Sequence, residues 1–134
     1  MNNKYKLDIV ILCHGLPMHG GMLEEGESLG GSETAGIQVA ESFARAGHHV
    51  TLFCNTEQAS KYKDVTYIPI GWQDGPQGGF PKGMFDYLRS NPIDLLICQR
   101  QPNFLRFGME SKVNLLWQHD LATKTGPSSF HATL

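Results

Sequence analysis

The chain predicts an α/β fold, an open, mostly parallel, Rossmann-like sheet of about five strands with flanking helices. Three observations lead there. Short apolar runs alternate with helical stretches, in the order strand, helix, strand, strand, helix, strand, strand. The runs are near-continuously apolar, as strands buried on both faces are. Right-handed crossovers then favour the spatial order 3-2-1-4-5, which puts several polar run ends on one edge of the sheet.

The first run, LDIVILC (7–13), is β-branched and bounded by His14-Gly15, so it reads as a buried strand. The eighteen residues of 14–31, six of them glycine, read as a loop, and so long a loop inside a compact domain tends to be functional or mobile. From Ser32 to Ala46 the pattern is helical: Ile37, Ala40, Phe43, Ala44 and Gly47 recur at three- and four-residue spacings. Ser32 is a suitable N-cap, Glu33 suits the positive end of the helix dipole, and Gly47 is a natural stop. HVTLFCN (49–55) and DVTYIPIG (64–71) are the second and third strands. Five glycines and two prolines in 71–83 make that segment a loop, and a short helix at 84–90 ends at Asn91-Pro92. IDLLICQ (93–99) is the fourth strand, a helical turn is expected around Phe104 to Phe107, and KVNLLWQHD (112–120) is the fifth strand.

At 134 residues there is room for one domain and one core. A net charge of −2, with eleven scattered Lys and Arg, argues against nucleic acid as a partner. The three cysteines, Cys13, Cys54 and Cys98, each lie at the end of an apolar run without any C-x-x-C spacing. They read as buried free thiols of a reducing compartment. No apolar run approaches the ~18 residues of a membrane span. Ile9 to Cys13 is shorter than the ~7–15 residues of a signal-peptide core. A cytoplasmic protein is the expectation.

The chemistry gathers at the carboxyl ends of the strands, where open α/β sheets bind ligands. A dinucleotide site would need G-x-G-x-x-G directly after the first strand and an acid ending the second; here stand HGLPMHGG and Cys54-Asn55. A P-loop would need Gly-Lys-Ser/Thr, which the chain lacks. The turn LGGSETAG (29–36) remains. Gly30 and Gly31 let backbone approach a ligand, and the N–H groups of Ser32, Glu33 and Thr34 open a helix whose positive end suits a diphosphate or a sugar hydroxyl. The same residues equally describe a tight entry turn. His119-Asp120 ends the fifth strand, where a histidine can bond a substrate hydroxyl or phosphate while the acid fixes its tautomer. Alternatively, His119 caps the strand at the surface. His14 and His19 with Cys13 do not match a metal-site spacing, so no metal is expected. There is no G-x-S-x-G and no arrangement suggesting a Ser-His-Asp triad.

GGSETAGIQVAESFARAGHHVTLFCN resembles the N-terminal domain of GT-B-fold glycosyltransferases, especially the retaining family 4 type. In that family a Gly-Gly-x-Glu turn opens the first helix, and an A-x-x-G-H-x-V-T-like segment leads into the second strand. LLWQHD resembles the family's aromatic-x-His-Asp element, and the two elements span residues 6 to 121 in the expected order. The resemblance implies an enzyme that moves a sugar from a nucleotide-sugar donor to an acceptor with retention of configuration, without cofactor or required metal. It implies that Gly30, Gly31, Ser32 and Glu33 face the donor diphosphate, with Glu33 ordering the turn. His119 would then be the catalytic contact to the transferred sugar or its phosphate, with His14 and Asp120 as further substrate contacts. The loops 14–31 and 71–83 would shape the acceptor side.

Residues 1–134 depart from the family's pattern in one large respect: they hold no counterpart of the second Rossmann-like domain, with its paired glutamates and basic phosphate ligands. The expectation is therefore a fragment or truncated relative that keeps the acceptor-side half and is inactive alone, with another chain as one source of the missing half. Its last strand would be an open sheet edge inviting self-association, and its acceptor could be membrane-peripheral. A reading from a different class is a non-catalytic α/β module that binds a nucleotide or a partner; its receiver-like version lacks the acidic cluster, since Cys13-His14-Gly15 stands there. A nicotinamide-dependent oxidoreductase is disfavoured by the failed fingerprint.

Overall fold

A computed structural model describes residues 5–15, 17–26, 29–74, 79–100, 111–118 and 132–133. Its centre is β1 (Asp8–Cys13), whose residues from Ile9 onward are all buried. β-Branched and leucine side chains fill both faces of this strand, so it needs cover on each side. Strand β2 (His49–Cys54) pairs parallel on one edge, in register from Asp8↔His49 to Cys13↔Cys54. Strand β5 (Leu95–Gln99) pairs parallel on the other, Ile9 opposite Leu95. Beyond them lie β4 (Val65–Pro69) and β6 (Val113–Trp117), both parallel. The expected order of the five principal strands, with its switch point at β1, is the observed one.

Two strands extend this sheet. Strand β3 (Ser60–Tyr62) pairs antiparallel with β4 through the two-residue turn Lys63-Asp64, with φ of 49° and 64°. Positive φ at both central positions is the turn that suits the twist of a hairpin. The three-residue Ser-Lys-Tyr run, with only Tyr62 partly buried, is too short to show an apolar alternation, which is why periodicity does not find it. Strand β7 (Ala132–Thr133) pairs parallel with β6 at Leu115 and Leu116, giving the order β3-β4-β2-β1-β5-β6-β7. The expectation that β6 forms an open edge is thereby corrected: its outer ladder is taken at those two residues.

Helix α1 (Met22–Glu25) is a single turn inside the segment expected to be loop, bracketed by left-handed Gly21 and Gly26. Helix α2 (Gly31–Arg45) starts one residue before the expected Ser32. Its end is as expected: Gly47 N–H donates to Ala44 O at 3.0 Å and His48 N–H to Phe43 O at 3.1 Å, with Gly47 left-handed. This is a Schellman stop. Helix α3 (Lys82–Ser90) begins two residues before the expected 84, behind Pro81. The helical turn expected around Phe104 to Phe107 lies outside the described residues.

The sheet divides the core into two layers. Ile9, Ile11 and Cys13 face α2, packing with Leu52, Cys54, Tyr67, Ile37 and Ala40. Val10 and Leu12 face α3, packing with Phe53, Met84, Leu88 and Leu96. Cys13, Cys54 and Cys98 are free and buried, as expected. Burial pushes the Cys13 and Cys54 thiols up to about 12, with the Glu33 and Cys54 charges adding to the effect at Cys13. Among the described residues no helix is long and apolar enough to cross a membrane.

Ile11 and Leu12 are both fully buried, on opposite faces. Truncating either to alanine should cost about 2–5 kcal/mol in a urea unfolding titration. By contrast Val113→Ala, at a residue 41% exposed, should stay within about 0.5 kcal/mol.

Candidate functional site

The carboxyl ends of β1 and β5 meet the first turns of α2. Gly30 is the N-cap, in extended backbone with φ −69° and ψ 165°, and no side chain caps the helix. The expected N-cap Ser32 instead lies within the first turn, where its buried hydroxyl donates to Glu33 Oε2 at 2.7 Å. Thr34 N–H is already used by Gly30 O at 3.0 Å. The amides that α-helical bonding leaves over therefore begin at Gly31, one residue earlier than the sequence suggests.

Glu33 is 4% exposed and faces inward. Its carboxylate lies across the backbone of two glycines: a Cβ on Gly15 would meet Oε1 at 2.6 Å, and one on Gly30 would meet Oε2 at 2.8 Å. Real Cβ atoms do not tolerate such distances, so these glycines are what admits the acid. One turn on, a Cβ on Gly36 would sit 3.2 Å from Gln99 Oε1 and 3.3 Å from Cys13 Sγ. The helix thus rests directly on the ends of β1 and β5. Gln99, buried at the end of β5, donates from Nε2 to Ser32 O at 3.2 Å. The polar end expected on this strand therefore supports α2 from below. Arg100 follows with a left-handed φ of 63° and donates its N–H to Trp117 O at 3.0 Å. Its positive charge is close enough to oppose the upward pull on the Cys13 thiol.

His14 leaves β1 beside this unit and packs on Trp72, ring centroids 4.8 Å apart and tilted by 57°. Burial holds its imidazole below the ordinary histidine value. Trp72 Nε1 donates to Asn55 Oδ1 at 3.2 Å, and Asn55 Nδ2 donates to Gly15 O at 2.6 Å. Asn55 holds the place at the end of β2 where a dinucleotide site carries its ribose-binding acid. Neither Asn55 nor Trp72 is marked by a sequence motif, because each acts through loop positions whose spacing obeys no period. His19 turns away, its Nε2 3.6 Å from Glu25 Oε2 and its Nδ1 2.8 Å from Gly20 O. Among the described residues no three His, Cys, Asp or Glu side chains are placed to hold a metal ion. His119 and Asp120 lie outside the described residues.

A groove of about 710 Å³ opens between the loop after β1, at Pro17 to Gly20 and Met22, and the segment Asn55 to Ser60. Its floor is apolar, with Met18 and Met22, and Asn55, Thr56 and Glu57 stand among its polar walls. Asn55 therefore belongs both to this groove and to the support of His14. No protein-family model matches the chain, and no curated protein matches it.

Two outcomes follow from this geometry. Gly30→Ala should displace the end of the Glu33 side chain and cost about 1 kcal/mol or less. In a Glu33→Ala background the same change should cost less, a coupling of about 0.5–1 kcal/mol in a double-mutant cycle of urea unfolding. For His14, the neutral form is favoured in the folded state while the unfolded chain takes up a proton at the ordinary 6.5. Its share of stability is thus complete above about pH 6.5 and lost as pH falls from there toward the lower folded value. His14→Gln should flatten that part of the stability profile between about pH 7 and 5.

Proposed function

We propose that the chain is the acceptor-side half of a GT-B-type glycosyltransferase, of the retaining family 4 kind, whose carboxyl edge takes the diphosphate of a nucleotide-sugar donor. One observation carries the reading: the Gly-Gly-x-Glu sequence forms a single unit at the switch point of the sheet. Its acid is turned inward over Gly15 and Gly30, and its leftover amides lie at the start of a fifteen-residue helix. Such a start concentrates roughly half a positive charge, and its N–H groups suit phosphate oxygens. In this reading Glu33 orders the turn, and Gly30, Gly31 and Ser32 present backbone to the diphosphate. His14, neutral near pH 7, meets a sugar hydroxyl. His119 contacts the transferred sugar or its phosphate, and Asp120 fixes the His119 tautomer. The groove beside Asn55 lies on the side assigned to the acceptor. The donor's nucleotide would be held by a second domain, so residues 1–134 by themselves bind the donor weakly.

The test is an amide NMR titration with UDP- and GDP-sugars, with the bare nucleoside diphosphates as comparison. Saturable shifts at Gly31, Ser32, Glu33 and His14, weakened several-fold by His119→Ala, are the expected result. Absence of shifts at millimolar donor removes the reading. Shifts that ignore the sugar and centre elsewhere would favour the non-catalytic nucleotide-binding module.

A further inference from the structure

Asn55 uses both ends of its side-chain amide. Nδ2 donates to Gly15 O at 2.6 Å, and Oδ1 accepts from Trp72 Nε1 at 3.2 Å. Its backbone carbonyl accepts a third hydrogen bond, from Met18 N–H at 3.0 Å. One residue at the end of β2 therefore holds the loop after β1 at two points and the loop after β4 at a third. His14 lies between these attachments: Gly15 is its chain neighbour, and the Trp72 ring is its packing partner at 4.8 Å.

We propose that Asn55 is a positioning residue for His14, fixing the imidazole at the carboxyl edge by tying the backbone behind it and the indole beneath it to one planar amide. The inference rests on the reading of that edge as a nucleotide-sugar site and adds a residue to it. Side-chain chemistry explains the choice of asparagine. The two contacts need a donor and an acceptor on the same short, rigid group. Aspartate has the same shape but no donor, and would set a carboxylate oxygen against Gly15 O. A hydroxyl residue offers one oxygen on a shorter stem, which reaches one partner at most. The groove gains from the same arrangement, because the wall that includes Met18 is fastened to Asn55 as well.

The test compares the native chain with Asn55→Ala, Asn55→Asp, Trp72→Phe and His14→Ala. In ligand-free protein the readouts are the NMR titration midpoint of His14 and the solvent exchange of the Trp72 indole N–H. With ligand, the readout is affinity for UDP- and GDP-sugars. In Asn55→Ala the indole N–H should exchange about tenfold faster or more, and His14 should titrate closer to its ordinary 6.5. Donor affinity should fall as far as in His14→Ala, with no further loss in the double variant. Asn55→Asp should keep the indole protected while His14 still shifts. If Asn55→Ala lacks a folded state, Trp72→Phe carries the test through the His14 midpoint. A folded Asn55→Ala with lowered Tm but unchanged His14 midpoint and indole exchange would overturn the proposal. A native chain that binds no donor removes the transferase reading instead, a result distinguishable because the first two readouts need no ligand.

Discussion

Everything in the sheet depends on β1 being paired on both edges and covered on both faces. Its ladder to β2 runs the full strand, its ladder to β5 runs from Ile9 to Leu12, and no residue from Ile9 to Cys13 reaches solvent. A strand in that position has no freedom of register, since a one-residue slip would exchange the set facing α2 for the set facing α3. The switch point follows directly. The chain leaves β1 toward β2 on one side and returns through β5 on the other, and the carboxyl end of β1 is where the two crossovers part. His14 and Gly15 emerge there because β1 ends there.

The seat of α2 is the second consequence. A helix that opens at a switch point must come close to two strand ends, and Gly36 lets it rest within van der Waals reach of Cys13 and Gln99. Glu33 then has somewhere to turn inward, across Gly15 and Gly30. A buried carboxylate is costly unless it is hydrogen-bonded, and the Ser32 hydroxyl supplies one such bond at 2.7 Å. With its acid directed into the fold, the first turn is left presenting backbone. Separating the roles in this way, side chain inward and amides outward, relates the loop chemistry to the glycosyltransferase reading proposed for the edge.

The parts of this arrangement that obey a period were legible in the sequence. Ile9 to Cys13, Val50 to Cys54 and Leu95 to Cys98 are mostly apolar runs of strand length, and their order followed from the strand-helix rhythm with right-handed crossovers. The stop at Gly47 was legible because a single residue type dominates that position. The cap of α2 was misplaced by two residues, at Ser32 instead of Gly30, because Ser32 is the better cap on propensity, whereas in the fold Ser32 and Glu33 are buried in the first turn. Helix α1 and strand β3 are too short to show a period. The support of His14 was hidden for another reason: Asn55, Trp72 and Gly15 come from three loops, and only the folded sheet edge brings them together.

The division of the core also distributes the two tryptophans, one to each layer: Trp72 packs against the layer beneath α3 and Trp117 against the layer beneath α2. Each face of the sheet thereby carries its own intrinsic fluorophore. Single-tryptophan versions of the chain would allow the loosening of one layer to be watched optically while the other stays silent, so that loss of the α2 seat and loss of the α3 cover become separable events.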